Sequence, residues 1–156
     1  MGIETFSGYI SELKPNEIFV FGSNPEGRHG GGTAKIAFLR FGAVYGKGRG
    51  LSGQSYGLIT KNLKSGYREK LSGRTLIYKK SGTRSVPPKY IMKNISELYQ
   101  TANEMKNYKF LVAYTAGGKN LCGYSAVEMA SFFRDAGEIP ENIIFEDKFY
   151  SQIFNF

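Results

Sequence analysis

The stretch that most constrains this chain is FVFGSNPEGRHGGGTAKIAF, Phe19–Phe38, where an apolar run breaks into bare backbone and then resumes at a different spacing. EIFVF (Glu17–Phe21) is nearly continuous in apolar residues, as a strand covered on both faces requires. Beyond the glycines, Ala34, Ala37, Phe38 and Phe41 recur at helical spacing, which predicts a short amphipathic helix ending before Gly42. Eleven of the 20 glycines lie between Gly22 and Gly57, so this turn is the densest part of a glycine-rich region. Glycine lets several amides converge on one anion, and a helix that opens there presents unpaired N–H groups and the positive end of its dipole. The turn is therefore a candidate phosphate cradle.

The rest of the chain reads as alternating strands and helices. GQSYGLITK (Gly53–Lys61) and KFLVAYT (Lys109–Thr115) read as strands, and NIIFE (Asn142–Glu146) as a last one. Ile91, Ile95, Leu98, Ala102 and Met105 fall at spacings that place one apolar stripe on a helix. Ser125 is placed to cap a further helix whose Ala126, Met129, Ala130 and Phe133 face inward. The aromatic tail FYSQIFNF reads as a short docking helix. Between Asn62 and Lys89 the pattern weakens to a basic, mobile insert with one short strand, Leu76-Ile77-Tyr78. Such alternation predicts a single α/β domain, residues 1–156, with a mixed, mostly parallel sheet. In such sheets ligands gather beyond the carboxyl ends of the strands, where AGGKNLCGY (Ala116–Tyr124) forms a second glycine-bearing turn.

Charge narrows the partners. The net charge is +8, and between Arg28 and Lys93 there are fifteen Lys and Arg against one acid, Glu69. So lopsided a block predicts an anionic partner, a phosphate-rich small molecule or a nucleic acid bound through the 28–93 region. Arg28, Lys35, Lys47 and Arg49 stand nearest the glycine turn and are the first candidates for a terminal phosphate. No membrane-length apolar run is present, and one cysteine, Cys122, fits a reducing interior; the expectation is a cytoplasmic protein with Cys122 as an inert small residue. There is no His/Cys/Asp cluster with metal-ligand spacing and no cofactor motif: neither a Walker loop nor a dinucleotide fingerprint is present, so neither a metal nor a cofactor is expected. His29, the only histidine, is a candidate general acid or phosphate contact.

IFVFGSN followed by HGGGTAKIA resembles the macrodomain signature, a buried strand ending in Asn before a Gly-Gly-Gly loop that opens a helix. LVAYTAGGKNLCGYSAVEMASFF resembles the second loop of that family, and GQSYGLITK sits where its middle strand is placed. The order of these motifs looks most like small, often bacteriophage-encoded, macrodomain-type proteins, which places the chain in a cytoplasm, the host's if phage-encoded. The resemblance covers Ile18–Lys61 and Phe110–Phe133 and leaves out the basic stretch. It implies a three-layer α-β-α fold that binds ADP-ribose or a phosphorylated or linked derivative, and hydrolysis of the ADP-ribose 1″-phosphate type; a non-catalytic ADP-ribose module is the alternative. Carried over by position, Asn24 would orient a distal ribose hydroxyl; His29, a candidate by its own chemistry, would act with it in catalysis. Gly22, Ser23, Gly30, Gly31, Gly32 and Thr33 would hold ribose and phosphate, and Thr115, Gly117, Gly118, Gly123 and Tyr124 would form the opposite wall. The sequence departs from the family twice. Thr33-Ala34-Lys35 lacks the aspartate many hydrolytic members carry there, which argues against de-ADP-ribosylation by that route. In GYIS (Gly8–Ser11), Tyr9 stands where an adenine-binding Asp is common, replacing a hydrogen bond with a stacking contact.

Overall fold

The longest apolar runs become the buried strands. In the computed structural model, which describes residues 4–114 and 122–154, the elements in chain order are β1 (Thr5–Phe6), β2 (Glu17–Ser23), α1 (Gly32–Arg40), β3 (Gly50–Ser52), β4 (Ser55–Ile59), β5 (Tyr67–Leu71), β6 (Arg74–Tyr78), α2 (Pro88–Glu104), β7 (Lys109–Val112), α3 (Ala126–Asp135), β8 (Ile143–Glu146) and α4 (Asp147–Phe154). Six strands form one sheet in the order β1-β8-β7-β2-β4-β3, and every neighbouring pair is parallel except the β3–β4 edge. The fold is thus α/β with a mixed, mostly parallel sheet.

Alternate residues of β2 enter two different cores. Ile18 and Val20 join the larger cluster, which includes Ile91, Ile95 and Leu98 of α2, Met129 and Phe133 of α3, and Phe149 of α4. Phe19 and Phe21 join a smaller one with Ala34 and Ala37 of α1. The chain leaves β2 toward β4 on one side and leaves β7 toward β8 on the other, and the two clusters set α1 and α3 against opposite faces of β2, as right-handed crossovers would. A crevice opens where the two directions diverge, at the carboxyl ends of β2 and β7.

The expected helices are all present, with local reasons. Pro88 at the first helical position starts α2, whose Ile91, Ile95, Leu98 and Ala102 are wholly buried. Ser125 Oγ accepts the Glu128 amide at 3.1 Å, and the Glu128 carboxylate accepts the Ser125 amide at 3.0 Å, closing a capping box on α3. Where one short strand in a loop was expected, residues 67–78 form a hairpin. Its inner face is Tyr67, Glu69 and Leu71; Arg68 and Lys70 face out. No helix among the described residues is long and apolar enough to cross a membrane.

Candidate functional site

A cavity of about 660 Å³ occupies the crevice, within the range of about 300–1,000 Å³ usual for small-molecule sites. Its wall collects strand ends: Gly22 and Ser23 closing β2 with Asn24 after it, Thr60 and Lys61 after β4, Ala113 and Tyr114 after β7, and Gly8 to Ile10 after β1. The remaining side is Gly30 to Ala34, the entry of α1.

That entry is unusually bare. Gly31 caps α1 without a side-chain hydrogen bond, and no acid stands in the first turn. The first amides of the helix are therefore open to a ligand, and the dipole adds to their pull on negative charge. Gly32 turns into the helix at φ 57, a value that favours glycine. A Cβ at Gly30 or Gly31 would meet nothing within 4 Å, so these two positions are kept clear without any neighbour demanding it. Arg28 and Lys61 are the charged residues of the described wall, with no Asp or Glu among them. Phe6, Tyr9 and Tyr45 supply aromatic surface, Tyr9 being 91% exposed.

Asn24 sits where the sequence places it, at the end of β2 and on the cavity wall. Its amide also braces the turn: Nδ2 donates to Arg28 O at 2.9 Å and Oδ1 accepts the Arg28 amide at 3.0 Å. One amide hydrogen remains uncommitted among the described residues. Underneath, main chain packs on main chain: a Cβ at Gly27 would lie 2.3 Å from Lys47 N, at Gly48 1.8 Å from Asn24 O, and at Gly57 2.0 Å from Gly48 O.

His29 is elsewhere. It is 3% exposed and does not line the cavity. Nε2 lies 3.0 Å from Val44 O and 3.1 Å from Lys47 O, so it carries the hydrogen and donates it to backbone, while Nδ1 is buried and has no hydrogen-bond partner among the described residues. Rings of Phe21 and Tyr45 stand edge-on to it. The general-acid role expected of His29 finds no support in this placement; the ring pins residues 44–47 under the turn.

The second glycine turn divides. Thr115, Gly117 and Gly118 lie outside the described residues. Gly123, at φ 88, is pressed against residues 83–84, where a Cβ would come 2.7 Å from Thr83 Cβ. The Tyr124 hydroxyl donates to Val86 O at 2.7 Å, its ring lies under the Arg84 guanidinium, and the residue is not on the cavity wall. Gly123 and Tyr124 thus anchor the 83–86 segment. Cys122, read as inert, does reach the wall, its Sγ 2.8 Å from the Tyr114 hydroxyl. Burial, then the Cys122 neighbour, pushes the Tyr114 phenol well above its ordinary pKa.

Of the other cations, Lys35 and Lys47 stay off the wall. Arg49 is consumed internally: its Nε and Nη2 grip Glu69 at 2.8 and 2.9 Å, and Nη1 reaches Asn94 and Glu97 at 2.7 and 2.8 Å. Burial works against this charge, but the hydrogen bonds and charge of Glu69 outweigh it and hold the guanidinium above its usual pKa. Sequence reading missed Tyr45, Thr60, Lys61 and Tyr114, which only the strand order brings to one place. Comparison of the chain with protein-family models, curated proteins and solved structures finds no match.

Proposed function

We propose that this is a macrodomain-like protein, with that family's three-layer α-β-α frame, whose cleft binds ADP-ribose or a phosphorylated or linked derivative. The observation that carries the reading is the uncapped start of α1, kept free of side chains by Gly30 and Gly31 and facing a cavity with two cations and no acid on its described wall. A diphosphate accepts hydrogen bonds from the Gly31–Ala34 amides, while Arg28 and Lys61 neutralise it. The free Asn24 hydrogen meets a hydroxyl of the distal ribose. Tyr9, with Phe6 on the same cavity wall, offers a stacking surface for the base in place of an acid.

Binding is the function this geometry favours, because no Asp, Glu or His stands on the described wall to act as general acid or base. Asn24 on that wall favours one second reading, hydrolysis of ADP-ribose 1″-phosphate with the ribose oriented by its amide. Melting curves with ADP-ribose, its 1″-phosphate, NAD and AMP test the site. A ligand at a hundred times its Kd adds about 2.7 kcal/mol, or roughly 5–10 °C for a chain of this size. A shift with ADP-ribose exceeding that with AMP is expected; no shift with any ADP-ribose compound at millimolar concentration overturns the reading. Phosphate release from the 1″-phosphate that Asn24→Ala abolishes selects the hydrolase over the binding module.

A further inference from the structure

We infer that the outer face of the β5–β6 hairpin, together with its base, is a docking surface for the phosphate backbone of a nucleic acid. The fold converts a basic composition into a basic surface. Glu69, the single acid among fifteen cations between Arg28 and Lys93, is only 8% exposed and is held inside by Arg49 and by the Tyr78 hydroxyl at 2.6 Å. What remains outside the hairpin is cationic and neutral. Arg68 and Lys70 project from β5, and the register sets Ile77 and Thr75 opposite them, so no cross-strand acid neutralises either charge.

The hairpin base concentrates the charge. Asn62 Nδ2 donates to both Lys64 O at 2.8 Å and Lys80 O at 2.7 Å, which brings Lys64 and the Lys79-Lys80 pair together at the foot of the two strands. All three lysines are exposed and make no ion pair among the described residues. Like charges gathered this way repel; the phosphates of a polyanion relieve that repulsion, and the counterions condensed on it are released as they are neutralised. Asn62 directly follows Lys61, which lines the cleft, so the cationic track runs from the rim of the cavity onto the hairpin. Leu63 and Ile77 are the large apolar side chains exposed among these cations, too few for the continuous apolar face that amphipathic elements bury in a lipid surface, so the strip suits a regular phosphate backbone better. The contact reads backbone and not base sequence. This inference stands independently of what the cleft binds.

Fluorescence anisotropy with labelled single-stranded and duplex oligonucleotides of roughly 20 nucleotides, titrated from about 50 to about 200 mM NaCl, tests it. Neutralising five phosphates with Lys64, Arg68, Lys70, Lys79 and Lys80 gives a log–log salt slope of about −4.5 on duplex and about −3.5 on single strands. The Arg68→Gln/Lys70→Gln variant, both side chains exposed, is expected to flatten the slope by about 1.8 on duplex and about 1.4 on single strands while melting like the parent. Lys14→Gln/Lys106→Gln, exposed cations outside the block, is expected to leave it unchanged. Three results overturn the inference: no oligonucleotide binding at the lowest salt, an equal loss in the Lys14/Lys106 control, or binding confined to phosphatidylserine vesicles or polyglutamate.

Discussion

Replacing Arg49 with Met isolates the interaction that ties the hairpin to the body of the protein. Arg49 stands just before β3 and is the only group that joins Glu69 of β5 to Asn94 and Glu97 of α2 among the described hydrogen bonds. Without it, Glu69 keeps the Tyr78 hydroxyl but remains a buried carboxylate with no counter-charge. Breaking a buried pair in this way costs about 3–5 kcal/mol. Glu97 is a third exposed and turns to water, so it adds little. Against a total stability of about 5–15 kcal/mol, a loss of this size is severe, and it lowers Tm by roughly 6–20 °C at the usual scaling for this chain length. Urea unfolding followed by far-UV circular dichroism measures it. Glu69→Gln placed on top of Arg49→Met removes the stranded charge and leaves an acceptor for Tyr78, so it is expected to recover at least half of the loss. If Arg49→Met alone costs under about 1 kcal/mol, the pair behaves as a surface ion pair and the reasoning fails.

Gly31→Leu places a side chain in open space at the mouth of α1, so it is expected to abolish ADP-ribose-induced stabilisation while changing stability by no more than about 0.5 kcal/mol; retained ligand shifts refute the site. Gly48→Ala drives a Cβ into Asn24 O and is expected to cost about 1–3 kcal/mol or more as the turn shifts; a variant as stable as the parent in urea contradicts the packing. The Glu128 carboxyl is held down to about pKa 2 by Arg84 and then by the Ser125 amide. Its folded value lies below the unfolded one, so its stabilisation is full above the ordinary carboxylate pKa and vanishes as pH falls through about 2. The Tm gap between parent and Glu128→Gln is therefore expected to close on acidification; a constant gap excludes this origin.

Continuous apolar runs and single helical stripes were legible because one physical cause, burial, dominates them. β2, β7 and α2 follow from that alone, and the Ser125 cap from an equally local cause, its hydroxyl meeting an open helix amide. The hairpin was not, since its inward face carries Glu69 between Tyr67 and Leu71, and a charged residue on the buried side hides a period of two. β1 has two residues, too few for any periodicity. The place of Asn24 and the Gly30–Gly32 turn on the cavity wall was readable because local backbone demands set it. His29 was not, because its partners are carbonyls 15 and 18 residues onward, and a carbonyl leaves no trace in residue identity. Tyr124 presented the same surface pattern as a ligand contact while spending its hydroxyl on Val86.

The stacked main chains at Gly27, Gly48 and Gly57 carry a consequence for how occupancy is reached. Where peptide planes rest on peptide planes there are no rotamers to arrest, so this part of the protein has little freedom left to surrender on association. The disorder lost on complex formation then resides mostly in the guest. For the diphosphate proposed above, tethering it into its bound shape is expected to sharpen affinity more than stiffening the protein.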